Sequence, residues 1–190
     1  MMKMVHIIVI VLTMPGIIYA AGKNHEDHHD HHDHHHHHAM TLDRDGMTMN
    51  SNDSTLPQDC EAIATDIEIT VAVGREFARA DTSFGFDQHQ WKVPPCSRLN
   101  VTLHNRDKVR HQWMVHGLPR YLYPQGMFHL EASGGTSRRG ILIVPSDDQT
   151  YLVHCDLAQH MEKGLKAQLV VGKGSGSLPS IPGITGPRMR

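Results

Sequence analysis

Between Cys60 and about Gly172 the chain alternates apolar and polar residues in short runs broken by turn signals, and no apolar stripe repeats at the helical period. Ile67, Ile69, Val71 and Val73 face one way and Glu68, Thr70 and Ala72 the other, which predicts a half-buried strand. Leu99, Val101 and Leu103 repeat the pattern after Val93-Pro94-Pro95, and Trp113 and Val115 continue it beyond Arg110. Ser133-Gly134-Gly135 signals a turn, and the apolar run from Ile141 to Val144 ends at Pro145. Tyr151, Val153 and Cys155 share one face of a strand, opposite Leu152 and His154, and a last strand runs from Ala167 to Val171. Six or seven short strands at this spacing predict an all-β sandwich or barrel over residues 60–172. Only the stretch from Tyr121 to Leu130 has room for a helical turn.

The flanks lack this pattern. Residues 173–190, KGSGSLPSIPGITGPRMR, are rich in Gly, Ser and Pro and read as an extended or loose tail. Met40 to Gln58 is polar and turn-rich and reads as a linker. Before it, ten histidines between His25 and His38 are interleaved with Glu26, Asp27, Asp30 and Asp33. That stretch buries too little apolar surface to offset chain entropy, so residues 21–59 are expected to form a disordered His- and Met-rich arm and linker. Residues 1–20 place Lys3 before an apolar run from Val5 to Leu12, then Pro15-Gly16, with small residues at Ala20 and Ala21. This is the order of a secretory signal peptide cleaved near Ala20. A spanning helix needs about 20 apolar residues, and Pro15-Gly16 interrupts the run, so no stable membrane anchor is expected after cleavage.

Charge narrows the partners. A formal net charge of -2, with the 18 Lys and Arg scattered, gives no basic stripe and argues against nucleic acid. The bias lies elsewhere, in 18 His and 11 Met against 3 Cys, side chains that bind soft and borderline metals. Export leads to an oxidising compartment, where three cysteines parse as one disulfide and one singleton. Compartment and pairing arithmetic make Cys60 and Cys96 the pair and leave Cys155 over.

Cys155 opens the stretch Cys155-Asp-Leu-Ala-Gln-His160-Met-Glu-Lys-Gly164-Leu165. A strand delivers the thiol toward the core, a four-residue loop turns, and His160 returns to the same point. These two side chains make two corners of a metal site, and His111, at the start of His111-Gln-Trp-Met-Val-His116, supplies the third. Thiolate with two imidazoles suits copper in both oxidation states. A structural zinc site wants four donors, and a nucleophilic Cys/His pair wants an accessible thiolate with an orienting partner.

On these residues the chain resembles the cupredoxin family, of the azurin and plastocyanin type, over roughly Ile67 to Val171. The resemblance implies a Greek-key β-sandwich, copper as the cofactor, and His111, Cys155 and His160 as its ligands. Two positions depart from the family pattern. Where many relatives carry a Met after Gly, this chain has Leu165 after Gly164, so the axial neighbour is Leu165 or Met161, with Leu165 favoured because Met161 directly follows a ligand. Where the azurin type has Asn after the first ligand, this chain has Gln112, to which a supporting role beside the thiolate carries over only weakly.

Longer runs resemble a narrower group, the CopI-type periplasmic copper-tolerance cupredoxins: Val93-Pro-Pro-Cys96, His111 to Pro119, Tyr121 to Glu131, and His154 to Met161, behind a His-rich arm. That resemblance implies a periplasmic copper-resistance role in which the centre oxidises Cu(I) to Cu(II). The alternative is an electron carrier without oxidase activity, exchanging electrons with a redox partner protein. Accessory copper donors are expected at His25, His28, His29, His31, His32, His34, His35, His36, His37 and His38 on the arm. Met40, Met47 and Met49 offer thioethers to Cu(I), and Met114, His116, Met127 and His129 offer a second copper site.

Overall fold

The computed structural model describes residues 39–185. The expected signal peptide and the His tract lie outside the described residues. Among these, eleven strands form two sheets and no α-helix occurs. The larger sheet runs, edge to edge, through β1 (Ala39–Asp43), β2 (Gly46–Ser51), β8 (Met127–Ala132), β7 (His111–His116), β10 (Gln149–His154), β11 (Lys166–Val171) and β5 (Gln90–Val93). The smaller orders β4 (Gly85–Phe86), β3 (Asp66–Gly74), β6 (Arg98–Asn105) and β9 (Ser137–Ile143). Neighbours in space are often distant in sequence, as in the parallel pairs of β3 with β6 and β11 with β5, so the chain crosses repeatedly between sheets. The result is the all-β sandwich expected from the alternation.

Period-two patterning explains the core. Along β6, Leu99, Val101 and Leu103 point inward at no more than 1% exposure, while Asn100, Thr102 and His104 stay half exposed. From the facing sheet come Trp113, Val115, Phe128, Leu130, Tyr151 and Val153, all in one apolar cluster. Trp113 is at its centre, edge-on to Trp91 at 5.5 Å and to Phe128 at 6.2 Å. An aromatic side chain that buries roughly 150–250 Å² contributes on the order of 4–6 kcal/mol.

Three expectations need correction. The segment read as a linker holds the β1–β2 hairpin, and β2 joins the large sheet along β8. Its pattern is inverted: the polar Thr48 and Asn50 point inward, donating to the carbonyls of Arg139, Pro124 and Met127, while Met47 and Met49 stay half exposed on the outer face. The helical turn expected between Tyr121 and Leu130 shrinks to a 3-10 turn, Pro124–Gly126, after which the chain extends into β8. The tail is not loose through residue 185. Ile181 is fully buried, Leu178 N donates to Gln168 Oε1, and Thr185 Oγ1 donates to the Leu178 carbonyl.

Candidate metal centre

The disulfide joins Cys60 to Cys96 and leaves Cys155 as the free, buried cysteine. Its thiol follows β10 at the end of the sandwich. From there the chain turns through a loop closed on itself: His160 N donates to the Leu157 carbonyl, Leu165 N to that of His160, and Cys155 N to that of Leu165. Gly164 makes this closure possible, since its φ of +116° is a glycine conformation and a Cβ there would collide with the Phe84 carbonyl and Thr82. The loop thereby returns His160 to the thiol, with Nδ1 3.4 Å from Sγ. His111, at the first position of β7, presents its own Nδ1 3.2 Å from that of His160. Ligand atoms of His111, Cys155 and His160 lie within 4.8 Å of one another, and among the described residues this is the group of His, Cys and carboxylate donors close enough to hold an ion.

The surroundings set the state of each candidate ligand. His111 is fully buried, and burial lowers its pKa while Asp107 pushes the other way, leaving it below the ordinary value. Its Nε2 donates to Asp107 Oδ2 at 3.0 Å, which turns the Nδ1 lone pair toward the centre. Asp107 itself lies 3.7 Å from Arg75. His160 is the half-exposed ligand, its pKa also lowered, by burial first and then by His111 and Lys163. Burial pushes the Cys155 thiol up to about 11, although the backbone N–H groups of Leu157 and Gln112 both favour the thiolate. A bound cation reverses that balance and takes the thiol deprotonated. Phe84 covers the pair of imidazoles, its ring centroid 4.9 Å from His111 and 4.7 Å from His160.

Gln112 supports the site through more than its backbone. Oε1 accepts from Asp156 N at 3.0 Å, next to the thiol ligand, and Nε2 donates to Glu131 Oε2 at 2.7 Å. It thus ties the His111 strand to the Cys155 loop. Leu165 is fully buried in the same apolar cluster as Cys155, whereas Met161 is half exposed. Of the accessory candidates, Met40 is exposed on β1, and Met47, Met49, Met114, His116, Met127 and His129 all lie on the large sheet. The arm histidines from His25 to His38 lie outside the described residues. Sequence reading missed Asp107, whose four-residue spacing before His111 in a short loop was the available signal. It also missed Phe84, which comes from a distant loop and leaves no local trace.

No family model matches this sequence, and no curated protein matches it. Solved structures do. The chain is similar to the multicopper oxidase mgLAC at 16% identity, with 60% of this chain and 40% of that one covered and a TM-score of 0.45. It is similar to auracyanin A, a "blue" copper protein from Chloroflexus aurantiacus, at 18% identity over 56% of this chain and 99% of that one, TM-score 0.44. Auracyanin B gives 16% identity over 68% and 99%, with a TM-score of 0.46. The chain therefore spans less than half the length of the oxidase. Likeness at this level decides nothing about the ligand, which has to be argued from the donors themselves.

Proposed function

We propose that this chain is an exported, periplasmic copper protein that confers copper tolerance by binding Cu(I) and oxidising it to Cu(II), each electron passing to dioxygen as the external oxidant. The observation that carries the reading is the buried convergence of two Nδ1 atoms and one thiol within 4.8 Å. Three donors of this softness suit copper, while a structural zinc site would want a fourth. Copper held there supplies one-electron exchange between its cuprous and cupric states. The chain's own part is to fix donors in advance: Asp107 orients His111, Gln112 and the closed loop hold Cys155, and Phe84 shields the imidazoles. Leu165, buried in the same apolar cluster as Cys155, would offer a bound copper an apolar neighbour in place of a thioether. The paired Cys60 and Cys96 support an oxidising compartment. Among the described residues no helix is long and apolar enough to cross a membrane.

A second reading, electron carriage to a redox partner protein, draws on one observation: His160 is the ligand that reaches the surface. The visible and EPR spectra of the copper-loaded protein, compared with Cys155→Ala, test the centre. An intense thiolate-to-copper band in the parent that vanishes in the variant is expected, and its absence from the parent would overturn the assignment. Oxygen consumption with excess Cu(I) then separates the roles. Sustained turnover supports the tolerance reading, and fast exchange with a cytochrome without turnover supports the carrier.

A further inference from the structure

The outer face of the large sheet is where a solvated surface belongs, yet it carries a buried row of metal-binding side chains. Register places Met49 of β2 opposite His129 of β8, His129 opposite Met114 of β7, and Met114 opposite His154 of β10. Directly opposed residues hold their Cβ atoms about 4.5–5.5 Å apart, so these four form one continuous line across four strands. His116, two residues along β7, brings Nε2 to 2.7 Å from the Met114 sulfur and stacks its ring on His154 at 4.8 Å. Met114, His129 and His154 are only 4%, 4% and 7% exposed.

Two of these imidazoles are incomplete as they stand. His129 Nε2 and His154 Nδ1 are buried without a hydrogen-bond partner. An unsatisfied buried polar atom costs about 1–3 kcal/mol, a cost that a Leu or Val at either position would avoid. Glu131, in the next row, is already engaged by Arg110 and Gln112. Burial lowers the pKa of His129, with Glu131 and Asp156 pulling the other way.

We infer that Met114, His116, His129 and His154 form a second metal site, selective for a cuprous ion, on the outer face of the large sheet. A neutral set of imidazoles around a thioether is soft and supplies no anionic ligand, which favours Cu(I) over Cu(II) or zinc. Here His116 Nε2 approaches the Met114 sulfur and register sets His129 and His154 on either side of Met114, unlike the Cys155 centre, where thiolate and imidazoles alone close the group. The two are distinct sites that meet along the chain, since His154 is bonded to Cys155. This inference stands on its own residues and does not require the proposed role of the Cys155 centre.

Anaerobic Cu(I) titration of the full chain against a chromophoric chelator tests it, comparing the parent with Met114→Leu/His129→Gln. The variant is expected to hold one fewer equivalent against the chelator, with the thiolate-to-copper band of its Cu(II) form unchanged. Equal equivalents with the band intact in both would overturn the second site. If the variant does not fold, the parent decides through its imidazole ¹⁵N resonances on addition of Ag(I), a cuprous mimic. Shifts at His129 Nε2 and His154 Nδ1 support the site, and their absence overturns it. Loss of the band in the parent would sink the Cys155 centre while leaving this count to be read independently.

Discussion

Replacing Asp107 by Leu removes the acceptor that holds a buried ligand imidazole, and the consequence follows from the geometry. In the parent, His111 Nε2 donates to Asp107 Oδ2 at 3.0 Å, so the proton sits on Nε2 and the Nδ1 lone pair faces Cys155 and His160. His111 is fully buried and its ring neighbours are Phe84 and His160, so neither water nor a second carboxylate is at hand to replace the partner. The ring then divides between tautomers, and the form protonated on Nδ1 must shift its proton before it can bind. A hydrogen bond to a charged group contributes about 1.5–3 kcal/mol. Partners behind a ligating imidazole are worth roughly 10–100-fold in metal affinity, which is about 1.4–2.8 kcal/mol, so the two routes agree. Chelator competition read at the thiolate-to-copper band reports this centre alone. The copper dissociation constant should rise by about 10–100-fold in Asp107→Leu and by less in Asp107→Asn, which keeps an acceptor oxygen. An Asp107→Leu constant within about threefold of the parent, against that 10–100-fold expectation, would refute the positioning argument.

Three further outcomes are expected. Leu165→Met places a thioether donor beside the thiol and should lower the copper potential by voltammetry; an unchanged or higher value would remove Leu165 from the axial position. Removing the Cys60–Cys96 link, which spans a separation of 36 residues, with paired Ser substitutions should cost about 4 kcal/mol in urea unfolding; a loss under about 1 kcal/mol would contradict the loop-closure argument. Because the Cys155 thiol is held up to about 11, copper must displace its proton, so affinity should rise about tenfold per pH unit between roughly pH 7 and 9, and a flat profile would count against Cys155 as ligand. The sign for the metal-free protein is opposite: the folded state keeps the proton longer than the unfolded chain, so stability falls as pH rises from 9.0 through about 11.

Strands that bury one apolar face were legible because their period states which side is inside. Strands β3 and β6 of the smaller sheet and β7 and β10 of the larger show it, with Val71, Leu99, Leu103 and Val153 fully buried where alternation placed them. Strand β2 was illegible for the converse reason. Its inward positions are Thr48 and Asn50, whose burial is offset by hydrogen bonds to backbone carbonyls far away in sequence. Polarity in a short segment reads as linker until those carbonyls are located. Strand β8 failed differently: Met127, His129 and Glu131 lie on the outer face with Phe128 and Leu130 inside, and Pro124-Gln-Gly126 before it reads as easily for a turn of helix.

The convergence of His111, Cys155 and His160 was legible for a local reason. Two of its members sit on one loop, and the third opens a strand, so the pattern survives without knowledge of the sheets. What holds the trio is not local. Phe84 approaches through a loop tied to Lys163 by two backbone hydrogen bonds, and Gln112 spans from β7 to Asp156 and Glu131 at once. The row from Met49 to His154 is less local still, because it exists only in the register of four strands drawn from widely separated parts of the chain. Met49, Met114 and His129 already stood out in the sequence as copper donors, but His154 did not, and nothing local put them in one row. Pairing turns them into neighbours, and burial turns two of their nitrogens into atoms without partners. A metal site read from spacing needs its donors close along the chain, whereas one assembled across a sheet gains its right membership, here His154 in place of Met127, once the strand order is known.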